Sequence, residues 1–323
     1  MKILYLVPRN VYLEKMSRVR FHQIREIAKI SDLKYSGFNW DNYQNKYTVE
    51  ENVNRLYNGD RPDIIIGFDH RDLNGFKLCT VPKVNMMNEM HSPEGSKVVA
   101  LEMLKSAGYD FIICHHKNEM DDSTFDSIRY KLVNIPHHVD GNIFKDYGFE
   151  KTIDVLLCGS LVLEKYKLRR RFVNIIKKLK NLGLRAKIHE HPGGYHSDAY
   201  TDRYLIDFAK SINCAKICLT CSSIHKCVYA KYVEIPFCNS LLAGDIPNER
   251  EDFFKSFMLG LNDNQTDDEM VSCIIDLLNN PLRLKELTNL GMNLNKPYTM
   301  DNYAKKFIDE TDKFLKTRKR RMM

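Results

Sequence analysis

The sequence predicts an α/β protein of two doubly wound, Rossmann-like domains that face each other across a cleft. Short apolar segments of four to seven residues alternate with amphipathic helical segments, and this alternation runs twice along the 323-residue chain. The apolar segments are rich in Ile, Val and Leu and lack a polar–apolar alternation, which is typical of parallel strands buried on both faces. A length of 323 residues also favours about two domains.

The first half of the chain begins with the apolar strand KILYLV. The strands are predicted at 2–7, 33–38, 63–68, 81–87, 110–115 and 131–136, and the helices at 17–30, 49–58 and 95–107. A loop over 136–152, rich in Pro, His, Gly and Asp, then separates the halves. We therefore expect domains at 1–150 and 151–323.

The second half restarts with DVLLCG and ends in helices. The strands are predicted at 154–159, 185–190, 216–221, 240–245 and 257–262, and the helices at 165–182, 200–211 and 228–237. A further helix begins at Pro281, since proline suits the first helical position. A terminal helix over about 300–316 carries Tyr303, Phe307 and Phe314 on one apolar face.

Composition narrows the class of protein. Apolar residues make up 43% and charged residues 28%, the balance of a folded chain. No apolar run of about 18 residues predicts a membrane span, and the apolar N-terminus is too short for a signal peptide, so we expect a cytoplasmic protein.

The nine cysteines lie mostly in apolar runs and predict buried thiols; the pair Cys218 and Cys221 lacks a second ligand pair, so no metal is expected.

The net charge of +7 favours an anionic ligand. Part of it lies in the basic tail from Lys316 to Arg321, which is either solvated or a weak contact to an anionic membrane surface. No recognised nucleic-acid-binding module is present, so no nucleic-acid partner is expected.

In doubly wound sheets the ligand lies beyond the carboxyl ends of the strands. Gly159 and Ser160 follow such a strand, and small residues there let backbone N–H groups approach an anion. Lys167 and Arg169, on the next helix, can add cations, with arginine able to clamp a phosphate; the alternative is a solvated helix face. His191 follows another strand and is a candidate for the base or sugar of a ligand, or for shaping a turn.

The segment 216–247 carries the largest number of candidate residues. A helix start near Cys227 or Val228 offers free N–H groups, and Lys226 and Lys231 add positive charge. Glu234 lies one to two turns inside that helix. It either faces solvent or accepts hydrogen bonds from a ribose diol, and spacing alone does not choose.

Three segments of the first half also follow strands. Arg9 and Asn10 follow the first strand, and Glu89 and His91 follow the strand at 81–87. The loop 115–118 follows the strand at 110–115. A histidine has a pKa that suits proton transfer near neutrality, so His91 is the candidate catalytic residue; the alternatives are His115 or His116 in that role, or a loop histidine at 91 without a role.

Several segments resemble GT-B glycosyltransferases of the group 1 or family 4-like set. KYVEIPFCNSLLAGDIP (231–247) is similar to their donor-binding segment, particularly in the spore-maturation-protein-like branch. IPHHVDGNIF (135–144) resembles the run that joins their domains, TIDVLLCGS (152–160) their second opening strand, and 276–293 with 298–307 their closing helices. The likeness covers 135–310 in sequence and 1–134 only in arrangement.

The resemblance implies transfer of a sugar from a nucleoside-diphosphate sugar, UDP- or GDP-linked, to a hydroxyl of a glycan or similar acceptor. It implies that Glu234 holds the ribose, that Lys226 with Arg169 or Lys167 holds the diphosphate, and that Gly159 and Ser160 lie against the phosphates. It further implies retention of configuration, no metal or other cofactor, and a last helix that returns to the N-terminal domain.

That domain would bind the acceptor, with His91 catalytic and Arg9, Asn10 and Glu89 on the acceptor side. The sequence departs from the family in two places: Lys226 stands where a Glu is usual, and Pro8–Asn10 replaces a glycine-rich loop. Two alternatives stay open: a sugar-nucleotide epimerase of the same architecture, and a non-enzymatic two-lobed protein that binds a sugar or nucleotide.

Overall fold

The computed structural model describes residues 1–67, 73–91, 96–161, 164–190 and 193–322. In the first half, the strands and helices are β1 (Lys2–Leu6), α1 (Arg9–Glu14), α2 (Val19–Lys29), β2 (Asp32–Ser36), α3 (Val49–Tyr57), β3 (Ile64–Gly67), β4 (Lys83–Met87), α4 (Lys97–Ala107), β5 (Phe111–Cys114), α5 (Lys117–Met120) and β6 (Leu132–Asn134).

In the second half they are β7 (Ile153–Leu157), α6 (Lys167–Asn181), β8 (Ala186–Ile188), α7 (Arg203–Asn213), β9 (Ala215–Leu219), α8 (Lys231–Phe237), β10 (Leu241–Gly244), α9 (Glu251–Lys255), β11 (Leu259–Gly260), α10 (Asp267–Leu278), α11 (Pro281–Asn295) and α12 (Met300–Met322).

The strands form two sheets in which every described pairing is parallel. The first sheet has the order β2-β1-β3-β4-β5-β6 and the second β11-β10-β9-β7-β8. In both, the sequence order reverses within the sheet, as in doubly wound folds. β3 and β7 are buried along their whole length, which explains their continuous apolar runs.

Local signals fix several helix starts. Thr48 and Glu51 form a capping box at α3, and Thr266 and Glu269 form another at α10. The Asn280 side chain caps α11 ahead of Pro281, so the helix start predicted there is present.

The chain divides into two compact units. The first comprises Met1–Pro136, Gly194–Tyr200 and Met300–Met323, and the second comprises His137–Gly193 and Thr201–Thr299. The division therefore falls at Pro136 rather than at the expected residue 150. The physical reason is burial: Val139, Ile143 and Phe144 belong to the apolar core of the second unit, where Phe144 lies against Phe208.

The last helix, α12, is part of the first unit and packs on α2. Tyr303 and Phe307 are buried in the core that β1, β3 and α2 share, and Phe314 stacks on Phe111 with ring centroids 5.3 Å apart. The segment Gly194–Tyr200 also belongs to this unit, since the Met16 N–H donates to the Gly194 carbonyl oxygen at 2.9 Å.

Within the described ranges, no helix is both long and apolar enough to cross a membrane. The nine cysteines carry free thiols; seven are buried, and Cys273 is only partly buried although it was expected inside an apolar run.

Candidate ligand-binding site

The carboxyl edge of the second sheet gathers polar side chains from three neighbouring strands. β7, β9 and β10 lie side by side, and they are followed by Gly159, Thr220 and Asp245 respectively. This edge is where doubly wound sheets bind ligands. We therefore describe the candidate site from these three strand ends.

Arg169 connects two of the strand ends. Its guanidinium donates to the Ser160 carbonyl oxygen at 2.8 Å, to Thr220 Oγ1 at 3.2 Å and to the Cys221 carbonyl oxygen at 3.1 Å. The side chain is only 3% exposed and lies over the Tyr166 ring. These bonds connect Arg169 to the loops after β7 and β9, while its Nε has no hydrogen-bond partner among the described residues.

Gly159 gives Arg169 the room that this position requires. A Cβ atom at Gly159 would lie 2.7 Å from Arg169 Nη1, and the residue has φ +102°, a conformation that favours glycine. The backbone at Gly159 and Ser160 therefore lies close to the Arg169 guanidinium, and the predicted approach to an anion there stays a prediction.

Asp245 organises the loop after β9. Its carboxylate accepts the Ser222 N–H at 2.8 Å, the Ser222 hydroxyl, the Tyr232 hydroxyl at 3.1 Å and Lys226 Nζ at 3.0 Å. Asp245 is 4% exposed, so these donors offset the cost of burying its charge. Burial opposes the charged form of Lys226, but the bond to Asp245 outweighs it and raises the pKa of the ammonium group.

The loop between β9 and α8 is more compact than the sequence indicates. Ser223 and Lys226 have positive φ values of 65° and 52°, and the N–H groups of Lys226 and Cys227 donate to the carbonyl oxygens of Ser223 and Ser222. The Val228 N–H donates to Glu249 at 2.5 Å. The helix therefore starts at Lys231 instead of near Val228, and the N–H groups expected to bind an anion at 226–228 are already paired.

Glu234 lies on α8 and is 4% exposed. Its carboxylate oxygen Oε2 accepts a hydrogen bond from Lys231 Nζ at 2.7 Å. Lys231 Nζ also lies 4.5 Å from the centre of the Phe208 ring. The structure thus holds a largely buried carboxylate whose ammonium partner lies on the same helix.

Lys167 and His191 are the two remaining candidate residues from the second half of the chain. Lys167 is the first residue of α6 and is exposed. His191 lies outside the described residues. The structure therefore brings together Gly159, Ser160 and Arg169 at one strand end, Lys226 with Asp245 at the next, and Lys231 with Glu234 on α8.

The first unit holds a histidine–carboxylate group at its own carboxyl edge. His91 follows β4, and its Nδ1 contacts Glu119 Oε1, while Nε2 lies 3.1 Å from Glu89 Oε2. The Met90 N–H donates to Glu119 at 2.9 Å. Burial disfavours the imidazolium, but the two carboxylates outweigh it and raise the pKa of His91 to about 9.

The pKa of His91 is thus higher than the value near neutrality that the sequence led us to expect. With a pKa of about 9, His91 is protonated at pH 7 and donates hydrogen bonds. It is therefore unsuited to accept a proton there. Burial raises the pKa of Glu119, but His91 and the Met90 N–H lower it by more.

Arg9 and Asn10 were expected in a loop after β1, but the structure places them in a helix. Both are exposed residues of the short helix α1, and the Arg9 guanidinium lies 5.8 Å from the Trp40 ring centre. The helix forms directly after Pro8, whose fixed φ suits the position before a first turn.

Sequence reasoning missed Asp245 and Glu119. Asp245 follows the predicted strand at 240–245, so the strand-end rule that selected Ser160 would also have selected it. Glu119 lies one residue beyond the loop considered after the strand at 110–115, and only its contact with His91 identifies it.

The whole chain is similar in structure to known proteins. HepE from Anabaena in complex with UDP-glucose matches with a TM-score of 0.64 at 10% identity, over 97% of this chain and 100% of that chain. Sucrose-phosphate synthase from Thermosynechococcus elongatus matches with 0.63 at 11% identity, over 98% and 99%. A glycosyltransferase from Rickettsia africae matches with 0.62 at 14% identity, over 97% and 98%.

No protein-family model matches the sequence, and no curated protein matches it either. At 10–14% identity the structural similarity establishes the fold. The predicted fold class, two parallel-sheet Rossmann-like α/β domains of the GT-B type, is confirmed.

Proposed function

We propose that this protein is a glycosyltransferase that moves a sugar from a nucleoside-diphosphate sugar, UDP- or GDP-linked, to an acceptor hydroxyl. The observation that carries the proposal is the buried Glu234 carboxylate on the helix that follows a strand-end loop. The fold shared with HepE, which was solved with UDP-glucose, supports the same class. The sequence segment 231–247 adds the resemblance to the spore-maturation-protein-like branch.

In the proposed donor site, Glu234 accepts hydrogen bonds from the ribose hydroxyls. Lys226 and Lys231 supply positive charge toward the diphosphate, and each is an ammonium group held in place by a carboxylate, Asp245 and Glu234 respectively. Gly159 and Ser160 lie against the phosphates, Arg169 or Lys167 adds a cation there, and Asp245 holds the loop after β9 in place.

In the proposed reaction, the bond from the anomeric carbon to the diphosphate oxygen breaks and a bond to the acceptor oxygen forms. The nucleoside diphosphate leaves with the bonding electron pair, and its departing oxygen takes up the proton that the acceptor hydroxyl loses. The cations at the donor site offset the charge of that leaving group, so we propose transfer without a metal ion. Retention of configuration follows from the family resemblance and is part of the proposal.

We propose that the first unit binds the acceptor, with His91 and Glu89 at the carboxyl edge of its sheet. As an imidazolium held between two carboxylates, His91 would contribute positive charge to the acceptor site rather than remove the acceptor proton at neutral pH. Arg9 and Asn10 would contact the outer part of the acceptor. We also keep the proposal that the basic tail touches an anionic membrane surface, and that the protein works in the cytoplasm.

The test is Glu234→Gln, which keeps the shape of the side chain and removes its charge. We expect at least tenfold weaker binding of UDP or GDP, since a charged hydrogen-bond partner contributes about 1.5–3 kcal/mol. Calorimetry with each diphosphate measures this, and Glu286→Gln on exposed α11 is the matched control.

Release of nucleoside diphosphate from UDP- and GDP-sugars, with and without a panel of hydroxyl acceptors, tests the reaction itself. Release that depends on an acceptor supports transfer. Nucleotide affinity unchanged in Glu234→Gln would remove Glu234 from the site, and turnover without any acceptor would favour the epimerase alternative.

A further inference from the structure

The first unit contains a buried arginine without a carboxylate partner. Arg20, on α2, is 8% exposed. Its Nη2 donates to the Met86 carbonyl oxygen and to Asn88 Oδ1 at 3.2 Å, and its Nε and Nη1 have no hydrogen-bond partner among the described residues. No described carboxylate lies within ion-pair distance of it, and Glu89, the acid next to Asn88 in sequence, lies against His91 instead.

Such an arrangement is costly unless another group completes it. A buried charge normally has an ionic partner, and buried N–H groups are normally hydrogen-bonded. Arginine stays protonated even though burial lowers the pKa of Arg20, so the charge cannot be relieved by losing a proton. Arg20 is therefore a buried positive charge without a negatively charged partner among the described residues.

A small cavity lies against this side chain. Its volume is about 20 Å³, and its walls include Tyr5, Tyr12, Lys15, Arg20, Phe21 and Asn88. A cavity of this size has room for about one oxygen atom with its hydrogens. Because Asn88 follows β4 and Tyr5 lies near the end of β1, the cavity is at the carboxyl edge of the first sheet, where ligands of such sheets bind.

We propose that Arg20 binds an oxygen of an anionic group, a carboxylate or a phosphate, that a ligand inserts into this cavity. A planar guanidinium with two nitrogens that lack hydrogen-bond partners suits such an oxyanion, and Lys15 at the cavity wall adds to the positive charge. If the function proposed above holds, the acceptor is an acidic sugar or a sugar phosphate; that identification rests on the proposed function, whereas the anion site does not.

Asn88→Asp tests the proposal without removing Arg20 or its packing. The new carboxylate would stand where Asn88 Oδ1 lies, 3.2 Å from Nη2, and would pair with the guanidinium from inside the protein. We expect a higher unfolding midpoint than in the natural chain and at least a tenfold loss of affinity for anions. Arg20→Gln should lose the anion response as well, and Asn54→Asp, on an exposed position of α3, controls for the added charge.

The measurement is thermal unfolding of the full chain with glucose 6-phosphate, glucuronate or glucose at constant ionic strength. We expect at least one anionic sugar to raise the midpoint by about 2 °C or more while glucose does not, and which one does so distinguishes phosphate from carboxylate. An equal response to glucose, no response to either anion, or an undiminished response in Asn88→Asp would overturn the proposal. UDP is added in a separate measurement and reports on the proposed donor site of the second unit. A failure of that donor site is therefore distinguished from a failure of the anion site at Arg20.

Discussion

At the level of single residues, Asp245 is the charge on which the loop after β9 depends most directly. It is buried and receives three kinds of donor: a backbone N–H, two hydroxyls and the Lys226 ammonium group. Removing its charge leaves several of these donors unsatisfied. A partly exposed partner such as Lys226 contributes less, because solvent screens its charge.

For Asp245→Asn we therefore expect the free energy of unfolding to fall by about 3 kcal/mol. Lys226→Met, which removes only one of the partners, should lower it by less than about 1 kcal/mol. Urea unfolding measures both variants. Equal losses in the two would contradict the assignment of Asp245 as the organising residue.

His91 predicts a pH dependence of stability in the first unit. Its pKa rises from 6.5 to about 9 on folding, so its contribution is complete below about pH 6.5 and is lost as pH rises through 9. The Glu119 pKa is lowered from 4.5, so the contribution of that carboxylate is present above about pH 4.5 and is lost at lower pH.

The natural chain should therefore exceed His91→Gln in unfolding midpoint by the most between about pH 5 and 6.5. The difference should shrink steadily up to about pH 9, because the imidazole then loses its charge. Thermal unfolding at a series of pH values measures it. A difference that stays constant from pH 6 to 9 would show that His91 and Glu119 are not charge-coupled.

At the level of elements, the strand-end turn after β7 depends on one glycine. Gly159→Ala would place a methyl group 2.7 Å from the Arg169 guanidinium and force it away from Ser160 and Thr220. Gly183, after α6, also has a positive φ but open space around it, so Gly183→Ala isolates the backbone cost of about 1–2 kcal/mol.

We expect Gly159→Ala to lose clearly more stability than Gly183→Ala and to weaken binding of UDP or GDP, whereas Gly183→Ala leaves binding unchanged. Urea unfolding and calorimetry measure the two effects. Similar stability losses would mean that Arg169 moves aside without cost.

The elements also explain what the sequence could predict. Long buried runs such as Ile64–Gly67 and Ile153–Leu157 have one physical explanation, a parallel strand covered on both faces, so the sheets were predictable. Helix starts with side-chain caps, such as Asn280, were predictable because the capping residue and the first turn are neighbours in sequence. The start of α8 was not, because it depends on Ser223 and Lys226 in left-handed conformations and on a bond from Val228 to distant Glu249.

The same distinction applies to the candidate site. Positions after strands follow from topology, so Ser160, Glu89 and His91 were predicted as candidates from the chain alone. The hydrogen-bond partners of these residues could not be predicted from topology, because the bonds from Arg169 to Thr220 and from His91 to Glu119 join residues far apart in sequence. Hence neither the bonds from Arg169 to the strand-end loops nor the raised pKa of His91 was foreseen.

At the level of the whole molecule, the first unit is assembled from three separate stretches of chain. Its core includes Phe307 of α12, which is fully buried among side chains of β1, β3 and α2. The second unit has its own core, in which Phe254 is equally buried. The two units therefore offer a matched pair of phenylalanine substitutions.

Phe307→Ala should destabilise the first unit by about 3–5 kcal/mol, and Phe254→Ala should do the same to the second. Hydrogen exchange measures where protection is lost: in β1–β6 for Phe307→Ala and in β7–β11 for Phe254→Ala. Equal loss of protection in both sheets for either variant would show that the units unfold together.

The place of α12 in the chain also bears on biosynthesis. The ribosome delivers the strands of the first unit early, but the helix that covers their α2 side emerges only after the entire second unit has been translated. At usual translation speeds this delay is on the order of ten seconds. Nascent chains must therefore carry an uncovered apolar surface through most of their elongation, which makes this half the natural client of ribosome-associated chaperones.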